Sequence, residues 1–246
     1  MRMTPYGPGH WTALIVIGIA APLLVLAARH RGADRWITGA GWLLLGVSVA
    51  WALWDMRPEV FDIRRSLPLH LSDVARLTAS LALITRRWWW VAPTYYWGLT
   101  LNAQSLLTPD LNYVTHPRLE YVLYWLLHGA VLVTPLVFVW GRGLRPRWSW
   151  FHRTWLITGG WAAVTMLVNA LTGANYGYLN GTPVGPSLLD AMGPWPVYLF
   201  VAGGVLAVGW ALVMTWPWTL RDRRAVAWGT ASAMREAETG AGPSGV

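Results

Sequence analysis

The chain has 246 residues, 55% of them hydrophobic and only 12% charged, about half the charged fraction of a soluble domain. Its net charge of +8 comes entirely from arginine, because the sequence holds no lysine. The arginines stand in short blocks between apolar runs, which excludes nucleic-acid binding and matches the loop signals of a membrane protein. No cysteine is present, which excludes a disulfide framework, a thiolate metal site and a thiol nucleophile.

The reading is an all-α, polytopic membrane protein, with a membrane domain over residues 1–220. The twenty tryptophans fit side chains that sit at membrane–water interfaces. After a polar lead, the first apolar run spans about residues 11–28, with Arg29, Arg31 and Arg35 behind it. Charge after the run rather than before it predicts an uncleaved helix, not a signal peptide. The second segment, about 36–54, is followed by the mixed-charge loop DMRPEVFDIRR. The third, about 67–85, ends at Arg86-Arg87, and three tryptophans open the fourth, about 88–107. The fifth covers about 119–140 and the sixth about 150–171. A Gly/Pro/Asn-rich loop then leads to the seventh, about 195–216. These lengths suit a hydrocarbon core of about 30 Å. Residues 221–246 read as a basic, then disordered, cytoplasmic tail. No internal repeat is evident, which argues against a transporter built from inverted repeats.

Arginine placement orients the chain. The loops after segments one, three and five, with the tail, hold 13 arginines, against 5 on the other side. The positive-inside rule then predicts seven transmembrane helices in the cell membrane, N-terminus outside and C-terminus cytoplasmic.

Orientation turns position into depth. In SLPLHLSDVAR, segment three carries His70, Ser72, Asp73 and Arg76 within seven residues. Ionisable groups at membrane depth are costly and point to function. Ser72 falls roughly 8 Å and His128 roughly 13 Å below the outer surface at about 1.5 Å per residue. Asn102 and Gln104 close segment four, Asn169 closes segment six, and Asn175 and Tyr176 lie in the loop after it. All fall in the outer half, which predicts an outward-facing pocket rather than a path through the membrane. Tyr124 and His128 share a helix face in segment five.

Each residue also has a plain structural reading. Ser72 can return a hydrogen bond to the backbone one turn back. Asp73 and Arg76, three apart, can pair and lock the helix. His128, Asn102, Gln104 and Asn169 can be interhelical polar glue, and His70 can cap a helix. A metal site from His70, Asp73 and His128 lacks the usual His-x₃-His spacing, so no metal and no cofactor are expected. The absence of lysine sets aside a retinal Schiff base.

The motifs SLPLHLSD, YYWGLTLNAQSLLTPDL, HPRLEYVLYWLLHG and TGANYGYLNGTP…LLDAMGPWPVY resemble the bacterial YwaF-like integral membrane proteins. Those are related to a eukaryotic transmembrane acyltransferase that remodels ether phospholipids. The resemblance covers about residues 60–200. It implies a seven-helix membrane acyltransferase with a Cys and His pair, at positions matched here by Ser72 and His128. Serine therefore stands where those acyltransferases carry cysteine.

Two functions follow as expectations. One is a lipid-active acyltransferase or acyl hydrolase in which His128 activates Ser72. In that reading Asn102, Gln104 or Asn175 donates to the oxyanion, and Arg76 pairs with Asp73 or a phosphate. The other is a non-catalytic protein or carrier that binds lipid or a small molecule in the same pocket. Membrane lipids are the expected partners in both.

Overall fold

Proline at the first turn opens two of the helices, where its missing N–H has no intrahelical partner to lose. They are α1 (Pro8–Ala28) and α6 (Pro117–Leu136). Between them lie α2 (Ala33–Asp55), α3 (Leu71–Thr85), α4 (Trp88–Leu99) and α5 (Leu101–Leu107). After them come α7 (Trp148–Thr172) and α8 (Val197–Val208). Helix α6 continues through a π turn at Val137–Gly141, and α8 through another at Gly209–Thr215. The structure, a computed structural model, describes residues 3–109, 111, 116–185 and 187–220. The expected tail, 221–246, lies outside the described residues. Among the described residues the fold is all-helical, with no strand.

Five helices are long and apolar enough to cross a membrane: Pro8–Ala28, Ala33–Asp55, Pro117–Gly141, Trp148–Thr172 and Val197–Leu220. Two of the seven expected segments differ. Segment three begins at Leu71 rather than at residue 67, leaving 15 helical residues. Pro68 disfavours helical dihedrals at Leu67, and Asp73 Oδ2 caps the true start by accepting the His70 N–H at 3.0 Å. Segment four is broken at Thr100 (φ −121°, ψ −79°). The Thr100 hydroxyl donates to the Tyr96 carbonyl and accepts the Trp210 indole N–H at 3.2 Å.

The helical segments alternate in direction between two ends. At one end α1, α2, α3, α6 and the start of α7 meet. There Arg142 pairs with Asp34 at 2.8 Å and donates to the Ala28 carbonyl, and Arg86 donates to Thr38 Oγ1 at 2.8 Å. Arg153 lies over Trp88. At the other end His10 Nε2 donates to the Leu106 carbonyl at 2.8 Å and Tyr121 to the Gly9 carbonyl at 2.7 Å. The loop between α7 and α8 bonds to the approach to α3, at Ile63, Leu67 and His70.

Helix α4 is the centre of the bundle. Every residue from Val91 to Gly98 is buried, as expected of a helix apolar all round. Its buried side chains spend their polar atoms on neighbours: Tyr95 donates to the Met214 carbonyl, Tyr96 bonds Thr215, and Trp97 donates to Thr158. Gly98 permits the close α4–α6 crossing, because a Cβ there would stand 2.6 Å from the Val131 carbonyl oxygen. Gly41 does the same for α2 on α3, with Leu83 Cβ at 2.8 Å. Large apolar side chains such as Ile15, Leu156, Phe200 and Val213 stay exposed on the outer faces of α1, α7 and α8. A patch of that extent is unusual on a soluble protein and suits lipid contact.

Candidate functional site

Ser72, Asp73 and Arg76 stand in the first turns of α3, which packs against α6. Asp73 has two tasks. One carboxylate oxygen caps the helix through His70 N, and the other pairs with the Arg76 guanidinium. Arg76 is buried, and its Nε has no hydrogen-bond partner. Ser72 is half-buried on the face one turn before Arg76. Among the described residues it makes no hydrogen bond to the backbone, unlike Ser80, which donates to the Arg76 carbonyl at 2.8 Å. The backbone-bonded reading of Ser72 is therefore not the arrangement adopted.

His128 lies in α6, buried, with its ring against that of Tyr124 at 4.2 Å between centroids. His128 Nδ1 is 2.8 Å from the Tyr124 carbonyl oxygen. A carbonyl can only accept, so Nδ1 carries the proton and Nε2 presents a lone pair. The charge that acts on this ring is the Arg76 guanidinium. Asn102 Nδ2 donates to the His128 carbonyl at 2.9 Å, while Asn102 Oδ1 is buried without a partner. Tyr124 donates to the Ser105 carbonyl at 2.7 Å. Ser72 and His128 make no direct hydrogen bond to each other.

The other expected residues build the cover over this end. Asn169 fixes the loop by taking the Tyr176 N–H on Oδ1 and donating from Nδ2 to the Tyr176 carbonyl and to Asn180. Asn175 closes the same loop, donating to the Gly181 carbonyl at 2.9 Å. Tyr176 ties the loop to the approach to α3: its hydroxyl accepts the Leu67 N–H at 3.0 Å and donates to the Ile63 carbonyl at 2.7 Å. Burial pushes the Tyr176 phenol above its ordinary pKa, which keeps that donor proton in place. The His70 ring stands edge-on to Tyr176 and accepts the Gly177 N–H. Gln104 reaches Ser187 only at 3.5 Å. The amide N–H groups of Asn102 and Asn175 are thus engaged, while Arg76 Nε is a buried donor without a hydrogen-bond partner.

Sequence reasoning missed Asp55 and Glu120. Asp55 ends α2 and Glu120 sits buried in the first turn of α6. Both line a cavity of about 120 Å³ with Trp51, Trp54 and Arg65. The charges of Asp73, Arg76, Glu120 and Arg65 all act on Asp55. Each acid stands at a helix end, where a carboxylate is ordinary, and only packing brings them together. Among the described residues no group of three or more His, Asp or Glu side chains is placed to hold a metal.

The profile of the TMEM164 family matches residues 5–214. The chain belongs to the TMEM164 family. Its five long apolar helices agree with a membrane protein of that family. The match runs from before α1 into the π turn of α8, so Ser72, His128, Asp55 and Glu120 all lie inside the family region. No curated protein matches the chain, and no solved structure matches it.

Proposed function

We propose that the chain is a lipid-active acyltransferase or acyl hydrolase in which Ser72 is the nucleophile and His128 the general base. All seven segments cross the membrane, with the N-terminus and the covered end outside. The resemblance to YwaF-like proteins and to the ether-phospholipid acyltransferase belongs to the same reading. The observation that carries it is His128. Its proton is held on Nδ1 by the Tyr124 carbonyl, which leaves Nε2 as a base on a buried ring that feels the charge of Arg76, one turn after Ser72 on α3.

In the proposed reaction Ser72 Oγ attacks the carbonyl carbon of a phospholipid ester. Its proton passes through a bridging water to His128 Nε2. Arg76 Nε donates to the oxyanion, a role that favours a donor already fixed in place. The ester C–O bond breaks, and the His128 proton goes to the leaving glycerol oxygen, releasing a lysolipid. A hydroxyl of a second lysolipid, or water, then attacks the acyl-serine as His128 takes its proton; the bond from Ser72 Oγ to the acyl carbon breaks, and His128 returns the proton to Ser72 Oγ.

In purified protein with phospholipid and lysolipid, Ser72→Ala and His128→Ala are expected to lower turnover by at least about 100-fold. Ser72→Cys is expected to keep activity, because a thiol is the better nucleophile. Full activity in Ser72→Ala would refute the assignment. The missing direct Ser72–His128 hydrogen bond favours a second reading, a non-catalytic lipid-binding protein or carrier. Lipid retention without turnover in the wild type would select it.

A further inference from the structure

The arginine-rich end of the bundle holds arginines of two kinds. Arg29, Arg86 and Arg142 are spent on the protein itself, donating to the Trp140 carbonyl, to Thr38 Oγ1 and to Asp34. Arg87 and Arg153 are not. Arg87 stands between α3 and α4, and Arg153 in the second turn of α7. Both are exposed, and among the described residues neither guanidinium has a hydrogen bond or an ion pair. Both instead approach one indole: their central carbons lie 4.9 and 6.0 Å from the Trp89 ring centre. Arg153 is also 5.7 Å from the ring centre of Trp88. Such cation–π contacts gather the two charges and leave the N–H forks unused.

Two like charges drawn together repel, and no carboxylate of the described residues pairs with either. Stretches 86–90 and 142–153 hold no Asp or Glu, and Asp34 is already paired with Arg142. The helix ends add to the imbalance. α4 starts at Trp88 and α7 at Trp148, each with an arginine as N-cap, no side-chain cap and no acid in the first turn. A helix N-terminus carries partial positive charge and favours an anion, not a cation, beside it. The fork of an arginine matches the oxygens of a phosphate. Trp88 and Trp89 place that charge at a particular depth: both are exposed, and indoles of this kind sit at the headgroup level of a bilayer.

We propose that Arg87 and Arg153, with Trp88 and Trp89, form a binding site for the phosphodiester of an anionic phospholipid in the leaflet at the arginine-rich end. Ser72 and Arg87 flank opposite ends of α3, so this lipid is a bound partner and not the acyl substrate. The site stands independently of the catalytic reading.

The test is lipid retention by the full-length chain in nanodiscs of choline-headgroup lipid, read by native mass spectrometry. The discs are doped with ether-linked lipid, which has no ester to cleave, bearing either an anionic glycerol headgroup or a zwitterionic choline headgroup. An arginine near an anionic surface is worth about fivefold in affinity, so the pair is expected to retain the anionic lipid about 30-fold over the zwitterionic one. Arg87→Gln with Arg153→Gln should abolish that preference. Arg31→Gln with Arg35→Gln removes the same charge from the same end and should leave most of it. All four side chains are exposed, so both double variants should fold. An undiminished preference in Arg87→Gln with Arg153→Gln would overturn the proposal. Equal loss in the two double variants would also overturn it, by showing a diffuse attraction to the leaflet. Equal stabilisation of the detergent-solubilised protein by inorganic phosphate would overturn the lipid source.

Discussion

Arg76 shows most plainly how one residue links stability and chemistry. Its charge is buried and has one ion-pair partner, Asp73, which also caps α3. Removing that partner leaves an uncompensated buried charge, which costs about 3–5 kcal/mol. Asp73→Ala is thus expected to lower the thermal unfolding temperature of the purified protein strongly, and Asp73→Ala with Arg76→Met to recover a large part of it. If Asp73→Ala unfolds like the wild type, the pair is not structural. The SLPLHLSDVAR cluster was visible in the sequence because charge at membrane depth is rare. That its Ser72 hydroxyl is unspent, and that the Asn102 and Asn175 amides are already engaged, depended on packing that no spacing encodes.

Among the elements, long hydropathic runs were legible and short polar ones less so. Five helices, Pro8–Ala28, Ala33–Asp55, Pro117–Gly141, Trp148–Thr172 and Val197–Leu220, are long and apolar enough to cross a membrane, because desolvation of a long apolar run dominates every local preference. The break at Thr100 carried no compositional signal; it reflects a hydroxyl shared between Tyr96 and Trp210, more than a hundred residues apart. Helix crossings at glycine give a sharp contrast. Gly98→Ala would push a Cβ to 2.6 Å from the Val131 oxygen, whereas Gly159 has nothing within 4 Å. Overpacking costs about 1–3 kcal/mol, so Gly98→Ala should destabilise the bundle. Gly159→Ala should leave it unchanged or slightly firmer, and equal melting of the two would refute the close crossing. Asn169→Ala removes three hydrogen bonds from the cover over the α3 start, each worth about 1 kcal/mol net. Faster limited proteolysis within residues 173–185 is expected, with the helices intact.

At the scale of the molecule the charges divide by end. Stretches 29–35, 86–87 and 142–153 hold nine arginines and one carboxylate, Asp34. Stretches 55–65 and 116–120 hold four arginines and four carboxylates. This asymmetry supports the proposed orientation, and the absence of cysteine makes it simple to check. In intact cells Val184→Cys, 91% exposed on the covering loop, should react with an impermeant maleimide, and Ser149→Cys at the arginine-rich end should react only after lysis. The reverse pattern would invert the topology. The central claim is the Ser72 nucleophile, and intact-protein mass spectrometry after incubation with phospholipid tests it most directly. The account predicts one added acyl mass on Ser72 that builds up when no acceptor is supplied and is absent from Ser72→Ala. An unmodified Ser72 in a protein that still transfers or releases acyl chains would contradict it.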